Sequence, residues 1–361
     1  ACAAGHTQVA RHIIDEGADV NVRDKTQSTP LHEAAEKGNT EMTLCLIEHG
    51  AQVDAAANCD VTPLHIACMS GHTQTAESLL EQGAYVDAVS EKYGTPLHIA
   101  CENGQTHTAQ WLLQRGADVN VVSELWFTPL HRACENGHTQ TAQWLLQHGA
   151  DVNAVSELYG TPLYIACKNG HTETAQWLLQ HGANVNAVPE WCDTPLHRAC
   201  ENGHTQTAQW LLQHGADVNA VSELYGTPLY IACENGHTET AQWLLQNGAN
   251  VNAVSEWCDT PLHRACENGH TQTVHCLLQH GANVNAVVKR NVTPLHRACE
   301  NGPTQTAQWL LQHGADVNAV SELYGTPLYI ACENGHTETA QWLLQNGANV
   351  NAVSEWCDTP L

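Results

Sequence analysis

Apolar positions in this chain come in short bursts separated by polar, turn-rich stretches. Between Thr194 and Gly226 there are two such bursts. In the first, Leu196, Ala199 and Cys200 have the i, i+3, i+4 spacing of one helix face. Thr194 can accept a backbone N–H as an N-cap, and Pro195 suits the first helical position, where its missing N–H costs nothing. Gly203, after Asn202, can take the left-handed conformation that closes a helix. The second burst predicts a helix from Thr205 to Gln213, ended by Gly215 in the same way. At ~100° per residue, Trp210, Thr207, Leu211, Ala208 and Leu212 sweep an arc of roughly 200°, while Gln206, Gln209 and Gln213 share the remaining side. An arc that wide needs neighbours on two sides, which assigns the tryptophan to the core. Helices this short are marginal alone, so stacking must stabilise them. Ala216 to Gly226 is rich in Asn, Asp, Ser and Gly and reads as a projecting turn or hairpin.

This pattern repeats along the chain. A Thr-Pro pair recurs eleven times from Thr29-Pro30 to Thr359-Pro360, always at an interval of 33 residues, with no insertion anywhere. Residues 1–24 form a partial repeat, 25–354 ten complete repeats expected to make one continuous array, and 355–361 the start of a further, truncated one. Residues 194–262 and 293–361 are identical except for His204 against Pro303, so a block has been copied along the chain.

Composition narrows the function. Thirteen Lys and Arg against 38 Asp and Glu leave a formal net charge of -25 in 361 residues, which would repel a phosphate backbone and argues against nucleic acid. No run approaches the roughly 18 apolar residues of a membrane-spanning helix, so no membrane insertion is expected from this segment. The 16 cysteines follow the repeat rather than a pairing pattern and read as thiols of a reducing, cytoplasmic compartment. The chain begins Ala1-Cys2 with no apolar leader, and both ends read as cut.

Thr194-Pro195-Leu196-His197, Ala199, Gly203-His204, Leu211-Leu212 and Gly215-Ala216-Asp217-Val218-Asn219, recurring at 33 residues, resemble the ankyrin repeat. The resemblance implies an all-α repeat fold: a solenoid of stacked helix-turn-helix units with projecting β-hairpin loops, and a role in binding other proteins. It also implies that the first His bonds neighbouring backbone and ties successive hairpins together, and that the residue after it faces the concave groove.

Of the 24 histidines, 21 fall at three repeat positions, represented by His197, His204 and His214. A catalytic site is needed once, so repetition on this scale points to structure. Nine cysteines, Cys200 among them, sit one per repeat as small buried fillers. Cys192, His197 and Cys200, or Cys258, His263 and Cys266, lack the paired spacing of a zinc site. No catalytic, metal-binding or cofactor-binding residue is assigned, and no enzyme activity or cofactor is expected.

Candidate contact residues are the aromatics just before each Thr-Pro, because exposed aromatics are favoured binding anchors. They are Tyr93, Tyr159, Tyr225 and Tyr324, with Trp191 and Trp257, and one tip carries Leu125, Trp126 and Phe127. Packing of hairpin against hairpin is the competing reading. Arg132, Arg198, Arg264 and Arg297 follow the first His and form a basic stripe, unless they pair internally with Glu135, Glu201, Glu267 and Glu300 three residues on. Within the run of tryptophans from Trp111 to Trp342 one second helix departs: Cys276 replaces the Trp, with His275 beside it, which predicts a looser interface near Val274.

The sequence therefore reads as a non-catalytic protein-interaction scaffold that binds through hairpin tips and groove. The expected partners are other proteins, basic or repetitive ones among them. Two alternatives stand beside this: a structural spacer or spring within a larger membrane-associated or multidomain protein, and a substrate-recruiting array for a catalytic domain outside the segment.

Overall fold

The computed structural model describes residues 6–123, 127–188, 193–255, 259–301, 304–352 and 360. Among them are 21 α-helices and no strand. The chain divides into two compact units, Ala1–Asn184 and Val185–Leu361.

In the first unit, α1 (Thr7–Asp15) precedes five helix pairs. Their first members are α2 (Pro30–Glu36), α4 (Pro63–Met69), α6 (Pro96–Glu102), α8 (Pro129–Glu135) and α10 (Pro162–Lys168). Their second members are α3 (Thr40–Glu48), α5 (Thr73–Glu81), α7 (Thr106–Gln114), α9 (Thr139–Gln147) and α11 (Thr172–Gln180). In the second unit the first helices are α12 (Pro195–Glu201), α14 (Pro228–Glu234), α16 (Pro261–Glu267), α18 (Pro294–Asn301) and α20 (Pro327–Glu333). The second helices there are α13 (Thr205–Gln213), α15 (Thr238–Gln246), α17 (Thr271–Gln279), α19 (Thr304–Gln312) and α21 (Thr337–Gln345). Within each unit the first helices pack in one row and the second helices in another, each pair touching the next. The helix limits expected for the 194–226 repeat agree with α12 and α13.

The projecting loops are shorter than hairpins with extended strands. In four of them a single antiparallel bridge closes a five-residue tip: Ser90 with Gly94, Ser156 with Gly160, Ser222 with Gly226, and Ser321 with Gly325.

The core between the rows is made of small and medium side chains. Leu196, Ala199 and Cys200 of α12 and Leu211 of α13 are fully buried, as are their counterparts in most other repeats. Thr207 and Ala208 complete the buried face of α13. Trp210 is only half-buried, as are Trp111, Trp144, Trp177, Trp243, Trp309 and Trp342, so the tryptophans are not core as the periodicity predicted. At the Thr207 position of later repeats the threonine takes the inner place through a hydroxyl pair with the preceding repeat: Thr240 with Thr205, and Thr273 with Thr238, each at 2.7 Å. The bulky indole is left at the margin, where Trp144 lies under His148 with ring centroids 3.4 Å apart.

Seven histidines complete the first helices. His131 is typical: its Nδ1 accepts the Thr128 backbone N–H at 3.1 Å, while Thr128 Oγ1 caps the His131 N–H at 3.4 Å. A backbone N–H can only donate, so Nδ1 is the bare nitrogen and Nε2 carries the proton. That Nε2–H donates to Gly160 O at 3.1 Å, 29 residues on in the next repeat's tip. The same three-way tie recurs at His32, His65, His98, His197, His263 and His296. A second set, after the helix-closing Gly, bonds backward. His237 Nε2 meets Glu201 O at 2.9 Å, at the end of the preceding repeat's first helix. Gly203 makes room for this: its φ is +69°, and a Cβ there would stand 2.5 Å from His237 Nδ1.

Two outcomes follow from these ties. Replacing His131 by Ala strands the buried Thr128 N–H and leaves the Gly160 carbonyl with the Ser156 N–H alone, and urea unfolding is expected to show a loss of about 1–3 kcal/mol. Burial also pushes His65, His98, His131, His263 and His296 down to about 4. Folding thus excludes a proton that the free side chain takes up near pH 6.5, so stability is full above that pH and falls as the pH drops toward 4. Each of these five should contribute a loss of roughly 1 kcal/mol by about pH 5.5, read as a lower urea midpoint than at neutral pH.

Candidate interaction surface: the turn tips and the first helices

The tips are built on a buried serine. Ser222 N–H donates to Gly226 O at 2.8 Å, and Gly226 N–H returns a bond to Ser222 O at 3.0 Å. The Ser222 hydroxyl accepts the N–H groups of Leu224 and Tyr225, both at 3.2 Å, and donates to Asp193 of the preceding tip. Ser321 Oγ reaches back in the same way to Arg290 O at 3.0 Å, and Ser90 Oγ to Cys59 O at 2.7 Å. These three tips are therefore each pinned to the one before.

Two of the tip tyrosines, Tyr225 and Tyr324, lie against arginines. Tyr225 is half-buried, with the Arg198 guanidinium 5.0 Å from its ring centre. Tyr324 is half-buried beside Arg297, which lies 5.7 Å from its ring and donates to its hydroxyl at 3.1 Å. Tyr93 is half-buried under Lys92 at 4.7 Å. Tyr159 is the most open of the four, 37% exposed, with its ring 4.6 Å from Phe127.

Phe127 does not project from its tip as expected of a contact residue. It is only 2% exposed, clustered with Tyr164 and Ile165 and covered by Arg132 at 4.4 Å. A fully apolar ring gains more from this burial than from projecting into water. The other candidates at these tips, Leu125, Trp126, Trp191 and Trp257, lie outside the described residues.

The four arginines pair internally. Arg132, Arg198, Arg264 and Arg297 meet Glu135, Glu201, Glu267 and Glu300 at 2.6–3.1 Å, with only 14–22% of each arginine side chain exposed. Arg198 and Arg264 bind a second acid, Asp193 at 2.5 Å and Asp259 at 3.3 Å. Aromatic and arginine candidates, separate in the sequence, thus come together at Phe127 with Arg132, Tyr225 with Arg198 and Tyr324 with Arg297.

What the tips leave in solvent is aliphatic. Leu158, Leu224 and Leu323 are 56%, 57% and 45% exposed. Beside them, one valine per repeat stands out at the 33-residue interval: Val89, Val122 and Val155 in the first unit, and Val188, Val221, Val254, Val287 and Val320 in the second, all more than half exposed. Glu157 and Glu223 stand exposed between them. Attention to aromatics passed these positions over. Their signal was an apolar residue kept at fixed spacing inside an otherwise polar loop.

A second pattern was also legible. Every repeat with Tyr in place of the first His, at Tyr164, Tyr230 and Tyr329, is followed 29 residues later by Asp193, Asp259 or Asp358. The structure supplies the reason at Tyr230. Its hydroxyl accepts from Arg264 Nε, and Arg264 in turn holds Asp259, which is 5% exposed. The Asp259 carbonyl, which no imidazole reaches, takes the Ser255 N–H at 3.0 Å.

The histidines and cysteines that recur in the first helices are taken up by the fold. The histidines of the first helices are neutral with both nitrogens engaged. Burial drives the repeat cysteines, such as Cys134 and Cys200, well above the ordinary thiol range, so thiolate is scarce. Among the described residues no three His, Cys, Asp or Glu side chains gather closely enough to hold a metal ion, and no helix is long and apolar enough to cross a membrane.

Replacing Arg198 by Ala should cost about 3–5 kcal/mol, because it leaves a fully buried carboxylate at Asp193 without its counter-charge. Arg132→Ala, whose partner Glu135 reaches water, should cost about 1 kcal/mol. Adding Asp193→Asn to Arg198→Ala should restore part of the loss, and equal destabilisation by the two arginine variants in urea would contradict the assignment.

The sequence profile described as Ankyrin repeats (3 copies) matches residues 1–90, 83–156, 155–222, 189–255, 229–321 and 288–354. Comparison with curated proteins finds no match. Among solved structures, the human ASB11 ankyrin repeat domain is similar, with 32% identity and a TM-score of 0.57 over 62% of this chain and 99% of that one. With matched segments running from the first residue through 354 and helix pairs at the same period, the chain belongs to the ankyrin repeat family.

Proposed function

We propose that this chain is a non-catalytic protein-interaction scaffold whose contact surface is the tip edge of its repeats. The observation that carries this is the file of exposed Val and Leu side chains on tips held rigid by Ser, Tyr, Arg and Glu. Isolated exposed apolar side chains are ordinary on a protein surface, whereas a regular series of them marks a place where a partner removes them from water. The acidic body, with its net charge of -25, favours a basic partner and speeds encounter with it. Near-identical tips present near-identical surfaces, so a repetitive partner gains avidity from several weak contacts. The Tyr and Arg candidates serve this surface by shaping it. The free thiols, buried at Cys68, Cys101, Cys134 and their counterparts, suit a reducing compartment, and we place the chain in the cytoplasm on that basis.

The test is the triple variant Leu158→Ser, Leu224→Ser, Leu323→Ser. These side chains are exposed, so melting should shift by no more than about 2 °C, while affinity for proteins captured by the wild-type chain should fall at least about tenfold. Unchanged capture would remove the tip edge from consideration and favour the reading of the array as a spacer.

A further inference from the structure

The seven tryptophans of the second helices are interrupted at one place. Where α13 reads Thr-Gln-Thr-Ala-Gln-Trp, α17 has Val274, His275 and Cys276 in the last three positions. The looseness expected there is not at Val274, which is fully buried; Cys276 and Leu278 also turn inward, at 7% and 8% exposure. Instead a cleft of about 390 Å³ opens beside Cys276, between α15, α17 and α19. Its walls are the indole of Trp309, the imidazole of His275, the Cys276 thiol and the amides of Gln242, Gln272 and Gln279. His275 lies 4.0 Å from Trp309, ring centre to ring centre. Gln279 Nε2 stands 2.9 Å from His275 Nε2, so an amide N–H donates to that nitrogen and the proton sits on Nδ1, which has no partner.

We propose that this cleft is a receptor for an indole side chain of a protein partner, which enters the place the chain's own tryptophan has vacated. Three observations support the fit. Seven other repeats put an indole at this position, so the surroundings are already suited to that ring. The cleft, at about 390 Å³, has room for an indole at the surface between the three helices. The glutamine amides can accept the indole N–H, and an aromatic face and a polarisable sulfur are both favourable neighbours for a ring. The cleft is built from second helices alone, none of which carries a tip residue, so this site goes beyond the tip-edge reading and stands or falls separately from it.

The experiment uses the full chain labelled with 5-fluorotryptophan, with the Trp309 resonance assigned through Trp309→Phe. Titration with N-acetyl-L-tryptophanamide should move that resonance saturably at millimolar concentration or below, while N-acetyl-L-leucinamide should leave it unmoved. The variant Val274→Ala, His275→Gln, Cys276→Trp restores the α13 sequence, folds on that precedent and fills the cleft, so the response should vanish. No saturable movement up to about 10 mM, an equal response to the leucine probe, or an unchanged response in the restored variant would each overturn the proposal. A response to free indole without one to the capped tryptophan would overturn the assignment to a protein side chain.

Discussion

An α-helix leaves its first four N–H and last four C=O groups without intrahelical partners, and the first helices of this protein are about seven residues long. Nearly all of their backbone consists of end groups. Each such group, buried unpaired, would cost on the order of 1–3 kcal/mol, more than a helix this short gains from its own bonds. The fold resolves this with side chains drawn from its own repeat and from neighbours. Thr194 and His197 close the N-terminus reciprocally, and His237 of the next repeat reaches the carbonyl at Glu201. One repeat therefore supplies part of the backbone pairing that another lacks, and the repeats within each compact unit become interdependent even though each is small.

This constraint governs the chemistry of the histidines and cysteines as well. An imidazole that accepts a backbone N–H on one nitrogen and donates to a carbonyl from the other has a fixed tautomer and no place for a second proton. Burial enforces the same state. The thiols between the helix rows are held protonated by the same exclusion of water. The recurring histidines and thiols of the first helices are occupied in holding the helices together, and the apolar positions that recur in solvent lie at the outer edge of the tips.

Much of the scaffold was legible in the chain. Thr194-Pro195 and Gly203 mark helix limits by local backbone preferences that need no tertiary information, and the limits of α12 and α13 followed from them. Internal pairing of Arg198 with Glu201 was visible because three residues on a helix place the two on one face. The role of Phe127 was not, because a tip aromatic can fold inward or outward with the same local sequence, and the neighbouring Tyr164 and Ile165 decided for burial. The order of Trp210 and Thr207 across the helix face was misjudged for a similar reason. Periodicity locates an apolar arc but not its deepest point, and at the equivalent Thr240 and Thr273 the threonine holds that point through a partner hydroxyl in the preceding repeat.

The repeat period, the helix pairs and the helix-closing glycines were determined by the sequence itself, since capping, proline and left-handed glycine geometry act over a few neighbouring residues. Which side chains reach solvent was decided only by the tertiary structure. Exposure depends on what the adjacent repeats place over each residue, so Tyr225 and Tyr324 became props for Arg198 and Arg297, while Val221 and Leu224 were left uncovered at the edge.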